Sequence, residues 1–512
     1  MPCLSFMTEL LLGSMVDDDV ATPGQAEGPR AQHIITHGQT SRLVDLIFAM
    51  TTDQITMESK NPYAFPLKPE QYASAPVPSL AEWKQLWSIW DFVTTKMMFA
   101  DALMEKPIHL RNPLLFYLSH IPAFEDIHLE RATKSKPIEP AYYHRIFERG
   151  IDSGVDDPSK CHDHSELPDV FQCLRDILRY RERVKERIKS LYQTEMPFTD
   201  RCIGRALWIG FEHEGLHAET PDFSKLAKEA SSRLLQNPWI KVSQQTFTIG
   251  YHDTESDDGL NRFFVWDNER EPYEITVTQI EAQGQPVSNG EYAKYLVDFK
   301  ESQIPATWSK TRDARCDEDY TTFVARHGIK TVWGPVPLPQ ALDWPVMASF
   351  DEVERYSQWA GARLPTLHEF RSIHEYVERY RKAPDGKVNH QFHTEPKAIF
   401  VDLSDTNSGF RNFHPMAVTH NGHLCGLGDT GGAAEWTRTL FAPQPGFKAM
   451  DIYPGYSADF MDEKHIAVVG GSWVLHPRIA GRKSFLNWWQ KKYLWPWVTF
   501  RLVRDIEQNA DR

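Results

Sequence analysis

Residues 204–220 read GRALWIGFEHEGLHAET, an apolar run that passes into two histidines four residues apart. At 3.6 residues per turn, positions i and i+4 share a helix face, so His213 and His217 can offer imidazole nitrogens to one metal ion. Glu219 falls about 200° further round the helix from His217, which places it as a supporting group outside that coordination sphere. Residues 213–217 also spell H-E-x-x-H, in which Glu214 would be the general base of a zinc hydrolase. Two histidines on a solvated helix face are the plain alternative.

Upstream the helical pattern repeats. Leu43, Leu46 and Ile47 recur at helical spacing from Ser41, and Trp83, Leu86, Trp87, Trp90, Val93 and Met97 form a stripe free of Gly and Pro. A third segment, LLFYLSHIPAFEDIHLERA, follows Pro113. In a fourth, from Val170 to Tyr192, Leu174, Ile177, Leu178, Val184, Ile188 and Leu191 face away from a side dense in Arg, Lys and Glu. Several amphipathic helices without strand-like alternation predict an antiparallel helical bundle.

Facing helices of a bundle converge on metals in its core, and the third segment carries His120 and His128. His120 follows an apolar run and should point inward, with Pro122 starting a new turn. It would complete a three-nitrogen face with His213 and His217; a satisfied core histidine is the alternative. Three neutral imidazoles leave positions open, which suits catalytic zinc or a non-haem Fe(II) that admits substrate and O2. Spacing does not choose between them.

Near Pro238 the texture changes. Short β-like runs (FTIGY, RFFVW, YEITVTQI, ALDWPVMAS, AIFVDL, AVVGGSWVL, VTFRLV) alternate with Gly-, Pro- and Asn-rich loops and about two helices, 288–297 and 350–359. This divides the chain into a disordered tail at 1–40, a helical bundle at 41–240 and an α+β domain at 241–512.

With 56 Lys+Arg against 70 Asp+Glu, the net charge of −14 argues against nucleic acid or an anionic membrane as main partner. Six cysteines stand at wide spacing with no C-x-x-C, so a disulfide framework is not expected and a reducing, cytoplasmic compartment is. No basic region precedes the short apolar patch at Leu10–Leu12, and no stretch of about 18 apolar residues exists, so neither a signal peptide nor a membrane span is expected.

The ordered segments LRNPLLFYLSHIPAFEDIHLERA, YYHRIFERGIDSGVDDPSKCHDHSELPD, GRALWIGFEHEGLHAET, FVWDNERE, PVSNGEYAKYL, YSQWAGARLPTLHEF, GDTGGAAEWT, YPGYSADF, VVGGSWVLHPRIAGRKSFLNWWQ and FRLVRD span roughly residues 80–505. Together they resemble the ergothioneine-type sulfoxide synthases, most of all the fungal ergothioneine biosynthesis enzymes. In that family a DinB-like helical bundle precedes a C-type-lectin-like, formylglycine-generating-enzyme-like (sulfatase-modifying-factor) domain. The resemblance implies that His120, His213 and His217 hold Fe(II), with His128 a packing or ligand-supporting residue. It implies small-molecule partners: a cysteine or γ-glutamylcysteine thiol, the imidazole of histidine or its betaine hercynine, and O2 as source of the sulfoxide oxygen. A tyrosine then donates a proton, and YPGYSADF offers Tyr456, the favoured candidate, and Tyr453. Asn487 matches an asparagine that contacts the imidazole substrate, and Trp488 and Trp489 would wall that pocket, where aromatic faces suit a trimethylammonium group. Arg478 and Arg482 are candidates for a substrate carboxylate or for structural ion pairs. Formylglycine generation itself is not expected, because Cys425 is the last cysteine and none follows the GGSW segment.

The chain departs from that family in five places. A methyltransferase domain usually precedes the bundle and here about 40 tail residues do, so hercynine would come from another protein. Pro221 interrupts the helix after Glu219, and Leu216 replaces a glutamine frequent in bacterial members. GGAAEWT stands for a usual GGVWEWT, so Ala433 and Ala434 would enlarge that region. WVTFRLV stands for W-A-G-A-R-L-V, so Val498, Thr499 and Phe500 would fill theirs. A catalytically silent paralogue and a zinc hydrolase are the competing classes. Oligomeric state is left open.

Overall fold

The computed structural model describes residues 64–73, 77–92, 94, 103–104, 113–148, 172–215, 237–253, 264–300, 303–311, 318–331, 334–380, 399–412, 414–418, 424–494 and 496–506. The tail at 1–40, the segment from Ser41, Val93, Met97, Leu216, His217, Glu219 and Pro221 lie outside them.

Four long helices build the N-terminal part: α1 (Leu80–Phe92), α2 (Leu114–Thr133), α3 (Leu174–Leu191) and α4 (Arg201–Gly215). α2 is central, packed on α3, on α4 and on the short helix Tyr143–Phe147. Nearly every side chain from Leu115 to Leu129 is buried. That burial explains a correction to the reading of Pro122: it starts no new turn, and α2 runs through it unbroken. A mid-helix proline costs about 3 kcal/mol, and a helix packed on three sides offsets that. Gly210 lets α4 approach α2 closely, since a Cβ there would meet Glu125 Cγ at 3.1 Å.

Among the described residues the C-terminal part holds twelve short strands: β1 (Trp239–Val242), β2 (Gln245–Ile249), β3 (Tyr273–Val277), β4 (Ile280–Gln283), β5 (Trp308–Lys310), β6 (His327–Thr331), β7 (Gly334–Pro337), β8 (Ala434–Leu440), β9 (His465–Val469), β10 (Leu486–Gln490), β11 (Val498–Thr499) and β12 (Val503–Asp505). They form sheets ordered β1-β4-β12, β10-β9-β8-β11, β2-β3 and β5-β6-β7. The run YEITVTQI is two strands in two sheets. RFFVW, ALDWPVMAS and AIFVDL form no named strand; the first leads into a 3-10 turn at Asp267–Glu269. Helices α5 (Asn289–Phe299) and α6 (Phe350–Trp359) lie where the hydrophobic pattern puts them, each opened by a Ser/Glu capping box. A further long helix, α7 (Leu367–Tyr380), went unread although Thr366 and Glu369 exchange the bonds of a capping box at its start.

Bundle and sheets meet through α4. Its first turn is tied by Arg201 and Arg205 to the buried carboxylate of Asp253. Its last turn is tied by Glu212 to Arg482, which also holds Glu269. Between them the Arg478 guanidinium lies 3.6 Å from the Trp208 ring centroid.

Candidate metal centre

Consecutive residues on a helix point about 100° apart, and the end of α4 uses this to send three side chains three ways. Glu212 faces the sheets, accepting from Trp266 Nε1 at 2.8 Å and from Arg482 at 2.8 and 3.2 Å. Glu214 faces the bundle interior, paired with Arg181 of α3 at 2.7 Å and fully buried. Between them His213 faces α2, where its ring stacks on Phe124 with centroids 3.9 Å apart and planes 15° from parallel.

The Nε2 of His213 lies 3.2 Å from the Nε2 of His120. His120 Nδ1 is 2.6 Å from the Phe147 carbonyl, so it carries the proton and donates it there. Its Nε2 therefore presents a lone pair toward His213. Burial pushes the His120 pKa down to about 4, against the pull of the Phe147 hydrogen bond, so the ring is neutral at pH 7. Two imidazoles converging through Nε2, one fixed in its tautomer by a backbone carbonyl, are groups that could contribute two nitrogens to a metal. His217 lies outside the described residues, and among those no cluster of three metal-binding side chains occurs.

One face of α2 continues from His120 through Phe124 to His128, whose ring centroid is 4.4 Å from that of Phe124. Burial holds the His128 pKa down at about 3. Tyr453 closes this face, 5.5 Å from Phe124 and 5.2 Å from His128. Tyr456 stands one ring further back, 5.8 Å from Tyr453 and stacked on Trp266 at 3.8 Å. Its hydroxyl is buried and, among the described residues, has no hydrogen-bond partner. Burial, followed by the charges of Asp267, Glu269 and Glu212, pushes its pKa well up, so the phenol keeps its proton.

Three candidates read differently in three dimensions. The guanidinium of Arg482 is shared between Glu212 and Glu269 by four hydrogen bonds, leaving no fork for a substrate carboxylate. It is the ion-pair partner that the sequence left as its alternative. Alternation along β10 puts Trp488 on the face opposite Asn487 and Trp489, so the two tryptophans wall different spaces. Trp488 packs on Phe441 at 4.3 Å and meets Tyr456 at 5.3 Å, while Trp489 stacks on Tyr493 at 4.5 Å. Asn487 is buried and its Oδ1 accepts from the Trp488 amide at 2.9 Å. Arg478 is buried against Trp208 and Phe400, and burial pulls its pKa down to about 9.

The supporting groups were the harder part to read. Glu125 and Glu214 sit side by side in the bundle, and burial followed by the charge of Glu214 pushes the Glu125 pKa well up. Arg181 and Lys185, on the side of α3 dense in Arg, Lys and Glu, are buried and turn to Glu214 and Asp91. Glu212 and Trp266 lie inside two of the quoted motifs, but nothing local told that they touch. Ala434, where the family has Trp, is the parallel register partner of Val498, where the family has Ala. The two departures thus face each other on adjacent strands, with Val498 adding back two carbons of the much larger side chain that Ala434 lacks.

The profile of the sulfatase-modifying factor enzyme 1-like domain matches residues 237–506. The chain belongs to that family. Beyond this domain the likeness extends into the bundle. Ergothioneine biosynthesis protein 1 of Neurospora crassa is 39% identical, over 88% of this chain and 60% of its own length. Ergothioneine biosynthesis protein 1 of Schizosaccharomyces pombe is 30% identical, over 84% of this chain and 56% of its own. Hercynine oxygenase of Mycolicibacterium thermoresistibile is 27% identical, over 81% of this chain and 92% of its own. The chain thus spans under two thirds of each of the two ergothioneine biosynthesis proteins. As a family member it joins the C-type-lectin-like domain to a helical region, a multidomain α and α+β architecture. Among the described residues no helix is long and apolar enough to cross a membrane.

Proposed function

We propose that this protein is a non-haem Fe(II)- and O2-dependent sulfoxide synthase that joins a cysteine-type thiol to the imidazole of histidine or hercynine. The observation that carries the reading is the pair of Nε2 atoms of His120 and His213, 3.2 Å apart, in a chain 88% of which aligns with an ergothioneine biosynthesis protein. His217, four positions on in the sequence, would supply the third nitrogen. When bound, Fe(II) would supply a centre at which thiolate, imidazole and O2 meet, turning a three-body encounter into a reaction within one coordination sphere.

The chain's own residues do the rest. The Phe147 carbonyl and the Phe124 ring hold the two imidazoles in register. Tyr456 is the proton donor: its buried hydroxyl keeps its proton and has no competing acceptor among the described residues. Tyr453 borders the ligand-bearing helix between them. Asn487, Trp489 and Arg478 are proposed for the imidazole partner and its carboxylate, and Trp488 for the support of Tyr456. Among the described residues Cys173, Cys202 and Cys425 form no disulfide, which suits a reducing cytoplasm. The zinc-hydrolase reading loses its general base, because Glu214 points away from His213 into a pair with Arg181.

The test is iron content after anaerobic Fe(II) reconstitution, with O2 uptake in the presence of cysteine or γ-glutamylcysteine plus hercynine or histidine. One equivalent of iron, with uptake that needs both substrates and disappears in His213→Ala, is the expected result. A protein that holds no iron, or turns over without O2, overturns the reading.

A further inference from the structure

The segment Trp266-Asp267-Asn268-Glu269 bonds or packs with Glu212 beside His213, with Tyr456 and its turn, and with the start of β10. Trp266 donates from Nε1 to Glu212, the residue before His213, at 2.8 Å, and the same indole stacks on Tyr456 at 3.8 Å. Asp267 accepts from Ser457 Oγ at 2.5 Å and from the Met450 amide at 3.4 Å, and Ser457 follows Tyr456 in the turn Gly455–Ala458. Asn268 donates to the Leu486 carbonyl at 3.3 Å, next to Asn487 on β10. Glu269 takes Arg482 at 2.9 Å and Ser484 Oγ at 2.7 Å, and Arg482 returns to Glu212. All four residues are buried. A fold needing only to bury this turn would fill it with apolar side chains; four polar or indole groups, each aimed at a different functional element, cost desolvation that packing alone does not require.

We propose that Trp266–Glu269 is the positioning segment of the active site, and that Asp267, acting through Ser457, and Trp266, through its stack, hold the Tyr456 hydroxyl at a fixed distance from the histidines of α2 and α4. Its chemical task is to keep one proton donor aligned with a centre built on a different domain. The proposal rests on the synthase reading for that task, but not for the geometry.

Ser457→Ala removes the hydrogen bond to Asp267 without burying a new charge, and Trp266→Phe keeps an aromatic stack while removing the donor to Glu212. With 3-fluorotyrosine placed at position 456, the metal-free protein should show a displaced 19F resonance in Ser457→Ala, since Tyr456 is no longer held flat on Trp266. In the reconstituted enzyme that variant should lose about tenfold in kcat, with KM for both substrates within twofold and thermal stability little changed. Trp266→Phe should weaken Co(II) binding severalfold by loosening the turn that carries His213. An unshifted resonance in Ser457→Ala, or unchanged kcat, overturns the proposal, as does a loss of stability without either effect. If the parent enzyme fails to turn over, the synthase reading falls and the 19F displacement alone decides the positioning role.

Discussion

Ala434 on β8 and Val498 on β11 are register partners in a parallel pairing, and these are two of the positions where GGAAEWT and WVTFRLV depart from the pattern they resemble. Side chains of partnered residues on adjacent strands stand on one face of the sheet, within contact distance. Ala434→Trp alone should therefore overpack this seam and cost about 1–3 kcal/mol. Val498→Ala added to it should recover a large part of that loss, as urea unfolding would register. Equal stability of the single and double variants would contradict the pairing.

Arg482 is fully buried between two fully buried carboxylates. Burial works to lower its pKa, but Glu212 and Glu269 outweigh that and keep it charged. Arg482→Met leaves the two carboxylates facing each other with no cation, and should destabilise the protein by roughly 3–5 kcal/mol. Chemical denaturation measures this directly, and a loss below about 1 kcal/mol would refute the account.

Glu214→Gln separates the two metal chemistries. A zinc hydrolase would lose its general base and about 10²–10⁴ in rate. A synthase whose Glu214 only pairs with Arg181 should keep its metal, with turnover per bound iron little altered. Metal analysis and kinetics on the same preparation decide.

Burial raises the pKa of Asp267 from 3.8 to about 6, against the hydrogen bonds of Ser457 and Met450 and the charge of Arg270. The folded protein thus binds this proton more tightly than the unfolded chain. Stability should rise as pH falls through 6 and level off near 4, where the unfolded carboxylate protonates too. Relative to Asp267→Asn, the parent protein should gain on the order of 1 kcal/mol between pH 7 and pH 5. Urea titrations at the two pH values check the sign.

Within the site, legibility followed the reach of each interaction. His120 and His213 were readable because helical periodicity is local, so an apolar run points its histidine inward. The polar side of α3 is the converse case. Arg181 and Lys185 look solvated along the chain, and become buried only because Asp91 and Glu214, from other helices, wait opposite. The face alternation that separates Trp488 from Trp489 was available in FLNWWQ, but needed β10 to be recognised as a strand.

The sequence by itself determined helices of the N-terminal part, the change of texture near residue 238, the inward histidines His120 and His213 and the family to which the chain belongs. These rest on periodicity, composition and motif order, all carried by residues near one another in the chain. Only the tertiary structure decided that Arg482 serves two carboxylates, that Glu214 turns away from the metal face, and that Trp266–Glu269 links the tyrosine turn to α4. A buried charge or an unpartnered hydroxyl takes its meaning from groups up to 270 positions away, and no local pattern encodes which of them it will meet.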